Sequence, residues 1–158
     1  PDKGEGLYRR SLYTYWKRTA PAPVMLALDA SKRDVCTVKR ERTSSPIQAI
    51  VLLNDPQMLE ASRVLAESLL NRHDSPEMMI ESLLRKAASR SPTELEMSEL
   101  LQLYQDLQRD FQAAPDEAKT VATAGEKEPQ TDLDPVDVAA MTTVVSTVLN
   151  LDASLYKR

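Results

Sequence analysis

Glycine is nearly absent, with three in 158 residues: Gly4, Gly6 and Gly125. That excludes glycine-rich phosphate loops and the tight-turn architecture of small all-β folds. Cysteine and histidine occur once each, as Cys36 and His73. A lone cysteine makes no internal disulfide, and a metal site would lack its usual cluster of ligands. Cys36 reads as a buried small hydrophobe rather than a nucleophile, and His73 as a surface residue at an interhelical break. There is no G-x-S-x-G elbow, P-loop or dinucleotide fingerprint, and no C-x-x-C-H for covalent haem, so no cofactor is expected. No stretch approaches the ~18 apolar residues of a membrane span. The opening PDKGEG, without methionine or a visible signal peptide, reads as a piece cut from a longer protein.

What is present is apolar enough, at 42% hydrophobic, to build one ordinary core in a chain of this length. The net charge of −4 is unevenly placed. Residues 1–45 carry ten Lys/Arg against five Asp/Glu, or +5, and the remainder ten against nineteen, or −9. A positive strip of this size fits docking to a neighbouring part of the parent protein; a nucleic-acid footprint needs a more basic domain, so no nucleic-acid partner is expected.

Residues 1–6 read as a flexible leader and 7–158 as a single helical domain, the C-terminal part of a larger protein. The first third is irregular. Leu12 to Trp16 suits a short extended segment, although a helix also fits, and Val35 to Val38 suits a second; together they would make a short β-hairpin. Beyond it the helix code is clear, because small polar residues stand directly before prolines. Ser45-Pro46 starts a helix of about two turns with Gln48 closing a capping box, and Asp55-Pro56 starts one running to Asn71. The run Ala49 to Leu53 between them is the most apolar of the chain and is expected to be buried. Met58, Ala61, Leu65 and Leu69, flanked by Leu59, Ala66 and Leu70, give the second helix a broad apolar face.

Ser75-Pro76 starts a helix to about Ala88, with Met79, Ile80, Leu83, Leu84 and Ala87 inward. Ser91-Pro92 starts another, with Ser91 and Glu94 spaced as a capping box and Met97, Leu100, Leu101, Tyr104, Leu107 and Phe111 as its stripe. The methionines, Met78 included, fall at core spacing. Ala114-Pro115 opens a short helix, and Lys127 to Asp132 reads as a mobile polar loop. On propensity Met141 to Leu149 would be a strand, but the Asp134-Pro135 cap and the spacing of Val138, Met141, Val145 and Val148 predict a helix pressed on all sides by neighbours. The expected fold is mainly α, a compact bundle of about five to six helices.

Two groups carry functional weight. The first is aromatic and basic: four of the seven aromatics, Tyr8, Tyr13, Tyr15 and Trp16, lie among Arg9, Arg10, Lys17 and Arg18. Arg9, Arg10, Tyr13, Tyr15 and Trp16, with Arg40 and Arg42, are the candidate binding residues, able to stack on sugar rings or dock another part of the parent protein. The bland alternative is an edge segment that buries Trp16 on the helices. In the second group, Arg40 and Arg42 with Asn54 and Asp55 read as a structural polar network. Asp55 is also weighed as an acid for hydrolysis. No catalytic and no metal-binding residue is assigned, so the chain by itself reads as a non-enzyme.

Three strings, RRSLYTYWKRTAPAPVMLALDA, CTVKRERTSSPIQAIVLLNDPQMLEASRVLAE and the closing VLNLDASLYKR, carry a family resemblance. Together they resemble the C-terminal part of the planctomycete-type domain of unknown function numbered fifteen fifty-three. The core of the likeness is R-x-R-T-x-[ST]-P-x-Q-A-x-x-L-L-N-D-P, here Arg40 to Pro56; relatives typically carry asparagine where this chain has Ser44. The resemblance implies an exported bacterial protein, periplasmic or on the cell surface, in which the domain follows a cytochrome c-like segment. Genome context links such proteins to sulfatases and polysaccharide breakdown. The implied partners are the upstream domains of the same protein and, as a second reading, polysaccharide. The resemblance also implies that this stretch lacks the earlier helices of the family's domain, and apolar surface is then expected to be uncovered. The family offers no catalytic residues to carry over.

Overall fold

The computed structural model describes residues 4, 6, 13, 15–17, 19–31, 36, 38–39, 43 and 45–155. Among them it contains helices and no strand: α1 (Pro23–Ala27), α2 (Pro46–Asn54), α3 (Pro56–Leu70), α4 (Pro76–Ala88), α5 (Glu94–Ala113), α6 (Pro115–Ala122), α7 (Pro135–Leu149) and α8 (Asp152–Leu155). The mainly α expectation holds. The expected hairpin falls partly outside the described residues, and its described members, Tyr13, Tyr15, Trp16, Cys36 and Val38, are not in strands. By contacts the chain divides into two compact units, Pro1–Asn54 and Asp55–Arg158.

The second unit is built around α7, which packs against α3, α4, α5, α6 and α8. A run of β-branched residues makes a helix here because a side-chain cap starts it and burial sustains it. The Asp134 carboxylate accepts the Val136 amide at 2.9 Å, and Pro135 occupies the first turn. Val138, Met141, Val145 and Val148 are buried as the spacing predicts, with Ala139, Ala140, Thr142 and Val144 buried around them. Each Val or Met so buried contributes about 1.5–3 kcal/mol. The threonine hydroxyls turn inward onto the helix itself: Thr142 donates to the Val138 carbonyl at 2.6 Å and Thr147 to the Thr143 carbonyl at 2.8 Å. Such back-bonding lets a polar side chain sit in an apolar core.

Facing α7, α4 buries Met79, Ile80, Leu83 and Leu84, and α5 buries Leu100 and Tyr104; Met97, Leu101, Leu107 and Phe111 pack against the same core. Met78 is exposed, since it lies one helical step off that face. Gln108 Nε2 donates to Asp137 Oδ1 at 2.6 Å, and the Tyr104 hydroxyl reaches the same oxygen at 3.5 Å. Burial, with Asp137 beside it, pushes the Tyr104 phenol well above its ordinary pKa.

The start of α5 differs from the sequence expectation. Its cap is Thr93, not Ser91, and its capping box closes on Glu96 rather than Glu94. The same spacing exists two residues on, and there Arg90 adds a guanidinium fork to Glu96 at 2.7 and 2.5 Å. Arg90 and the Thr93 amide together hold the Glu96 carboxyl at about 2, below its ordinary 4.5. A carboxyl with a lowered folded-state pKa stabilises above its unfolded pKa and loses that contribution as pH falls through the folded value. Glu96→Gln should therefore cost about 1 kcal/mol near neutral pH. The gap to wild type should close as pH falls from 4.5 towards 2. Urea midpoints of both proteins along that range check it, and a gap that stays constant would exclude the carboxylate charge as its source.

In the first unit α1 packs against α2. Of the apolar run Ala49–Leu53, expected to be buried, only Leu52 is; Ala49 and Val51 are half-buried, and Ile50 and Leu53 are exposed. Five consecutive residues on a helix point around its whole circumference, so a helix packed on one side covers only part of such a run. Cys36, expected to be buried, is exposed.

Candidate functional site

Within the Arg40–Pro56 run, Thr43, Ser45 and Gln48 form a polar knot with a residue from outside it, Asp29. Asp29 follows α1 with φ +55, a left-handed conformation that only the short polar side chains adopt at modest cost. That turn aims its carboxylate at the segment leading into α2. The Thr43 amide and the Thr43 hydroxyl both donate to Asp29 Oδ2 at 2.7 Å, and Gln48 Nε2 donates to the same oxygen at 3.1 Å. Gln48 Nε2 also donates to Thr43 Oγ1 at 2.9 Å. These bonds, the Thr43 hydroxyl first and its amide second, hold the Asp29 carboxyl below the usual carboxylate range.

Gln48 is the hub, and it is buried. Its other end closes the expected capping box: the Ser45 amide donates to Gln48 Oε1 at 3.2 Å, and the Gln48 amide to Ser45 Oγ at 3.4 Å. With Gln48 and Leu52 turned inward, α2 presents Ile47, Ile50 and Leu53 outward, 65%, 60% and 45% exposed. The knot fixes the rotation of α2, and the rotation puts three branched apolar side chains in water. Val24 and Leu26 on α1 and Leu28 just after it are exposed as well. Large apolar side chains ordered together at a surface mark a contact site more often than chance exposure.

Of the candidate binding residues, Arg9, Arg10, Arg40 and Arg42 lie outside the described residues, as do Tyr8 and Arg18. Tyr13 and Tyr15 are 72% and 83% exposed, and Trp16 is half-buried. Asn54 and Asp55 serve their own helices. Asn54 Nδ2 donates to the Ile50 carbonyl at 2.8 Å, and Asp55 Oδ1 caps α3 by accepting the Gln57 and Met58 amides at 2.9 and 3.2 Å. His73 is half-buried, and its amide donates to the Leu69 carbonyl at 3.1 Å.

Sequence reasoning missed a second cluster, in the other unit. Of the face expected on α3, Leu69 and the flanking Ala66 are buried, and Met58, Leu59, Ala61, Leu65 and Leu70 are half-buried; the polar Glu60, Ser62, Arg63 and Glu67 face inward with them. The ionic members bind the segment after α6, expected to be mobile. Arg63 Nε donates to the Ala124 carbonyl at 2.8 Å, its Nη2 to the Lys127 carbonyl at 2.6 Å, and its Nη1 to Glu67 Oε1. Glu60 accepts the amides of Glu126 and Lys127 at 2.9 and 3.1 Å, and Glu67 accepts that of Gln130 at 3.4 Å. Among the described residues no buried side-chain polar atom lacks a hydrogen-bond partner. A cluster whose groups are spent on one another and on the loop backbone is a fastening, not a place for substrate.

Among the described residues no group of three His, Cys, Asp or Glu is placed to hold a metal, and no helix is long and apolar enough to cross a membrane. No curated protein and no solved structure matches the chain. A family model described as PSD1, protein of unknown function (DUF1553), matches residues 1–104. The matched span contains the whole polar knot and the exposed stripe of α2, and ends at Tyr104 in α5, short of the closing VLNLDASLYKR. By this match over most of its length, the chain belongs to the DUF1553 family.

Proposed function

We propose that this chain is a non-catalytic interaction and scaffold domain of an exported, multidomain bacterial protein, and that it docks the upstream domains of that protein through its first unit. The observation that carries the reading is the outward stripe Ile47, Ile50 and Leu53, presented by a helix whose rotation a buried hydrogen-bonded glutamine fixes. The +5 balance of residues 1–54, set against −9 for the rest, supports a charged docking partner. Arg9, Arg10, Arg40 and Arg42 are the cations proposed to contribute to that contact, with Trp16 as its aromatic anchor. Asp55 is spent on its cap, which weakens the reading of it as a hydrolytic acid. Export and the link to polysaccharide breakdown rest on the family resemblance.

The test is a calorimetric titration of the chain with the separately produced upstream region. Binding that weakens with salt, and weakens about tenfold or more in Trp16→Ala or Arg10→Ala while the melting temperature holds, is the expected result. Unchanged binding with a sharply lowered melting temperature would make Trp16 core and remove it from the dock. One observation favours a second reading, a carbohydrate-binding module: Tyr13 and Tyr15 offer exposed ring faces. Retardation on neutral or sulfated polysaccharide gels, lost in a Tyr13→Ala/Tyr15→Ala variant, would favour it over docking.

A further inference from the structure

We infer that the outward face of α2 takes an acidic amphipathic helix; this rests on the docking reading and names the chemistry of the segment that docks. The stripe runs in steps of three residues from Ile47 to Leu53, about 9 Å along the axis at 1.5 Å per residue, the reach of about two turns of a facing helix. α2 itself carries no charge. Lys39, Arg40 and Arg42 stand directly ahead of it in the sequence, and the unit as a whole holds ten Lys/Arg against five Asp/Glu. An apolar strip on a unit of net charge +5 selects a partner whose leucine-like stripe is flanked by carboxylates. A second copy meeting this one through the same face would set two +5 units against each other, which disfavours self-pairing.

The test uses the full chain and two synthetic helical peptides of identical leucine stripe, one flanked by glutamates and one by lysines, read by fluorescence anisotropy. The glutamate peptide should bind at least about tenfold tighter than the lysine peptide, and weaken with salt. Ile50→Asp should abolish that binding, as should Ile47→Asp, with helix content unchanged because both side chains lie in water. Equal binding of the two peptides, or none by either, overturns the inference. So does a dimer in sedimentation that Ile50→Asp dissolves, because the face would then belong to a second copy. The upstream titration separates the two proposals. Upstream binding untouched by Ile50→Asp overturns this inference and takes the stripe out of the dock, leaving docking to the aromatic and basic residues ahead of α2. Glutamate-peptide binding without upstream binding leaves this inference standing and overturns the docking reading.

Discussion

Gly125→Ala should destabilise the second unit by about 3 kcal/mol, from two separate costs. Gly125 has φ +102, a backbone conformation that a side chain strains. An added Cβ there would also lie 2.4 Å from Glu60 Cγ and 2.6 Å from Glu60 Cβ, inside contact distance. Glu60 cannot swing aside, because its two carboxylate oxygens are held by the amides of Glu126 and Lys127, the residues directly after the glycine. Relief must come from moving the loop, which breaks those bonds, or from shifting α3, which disturbs the core around Ala66 and Leu69. Urea unfolding measures the loss, and hydrogen exchange at Glu126 and Lys127 locates it. Stability within about 1 kcal/mol of wild type, with both amides still protected, would mean that the loop is not fastened as described.

What was legible in the sequence was local chemistry. Asp55-Pro56, Ser75-Pro76 and Asp134-Pro135 each state a helix start in two residues, and each start falls where the pair places it. Propensity misled at Met141–Leu149 only for a reader who ignored the cap. What was not legible depends on partners distant along the chain. Arg63 meets loop carbonyls more than sixty residues away, and Asp29 meets Thr43 fourteen residues on. One signal for α3 was available: the broad apolar face spans Met58, Ala61 and Leu65 on one side and Leu59, Ala66 and Leu70 on the other, and Glu60, Arg63 and Glu67 recur at helical spacing on the second side. Charges are ordinarily assigned to water, so counting apolar residues alone does not show that Glu60, Arg63 and Glu67 are buried among them. The candidate binding face was half legible. The apolar run of α2 was evident, but its exposure follows from Gln48 reaching back to Asp29, a contact that no pattern within the run announces.

The same fastening predicts a hierarchy at Arg63, which is fully buried. Arg63→Met should cost about 3–5 kcal/mol, because it leaves Glu67 with a single 3.4 Å loop amide to face the loss of its cation and orphans the Ala124 and Lys127 carbonyls. Arg63→Lys keeps the charge, but a single ammonium cannot serve two carbonyls and a carboxylate in the geometry of a planar fork; about 2 kcal/mol should be lost. Glu67→Gln retains an oxygen for Arg63 and the Gln130 amide and should cost least, about 1 kcal/mol. The double variant Arg63→Met/Glu67→Met should be less damaging than the sum of its singles, because each partner's burial is costly mainly when the other is gone. Chemical denaturation of wild type, Arg63→Met, Glu67→Met and the double variant gives the cycle. Strict additivity would show that the guanidinium and Glu67 carboxylate do not act as a pair. A loss below about 1 kcal/mol for Arg63→Met would show that the loop is held by Glu60 alone, with Arg63 incidental to it.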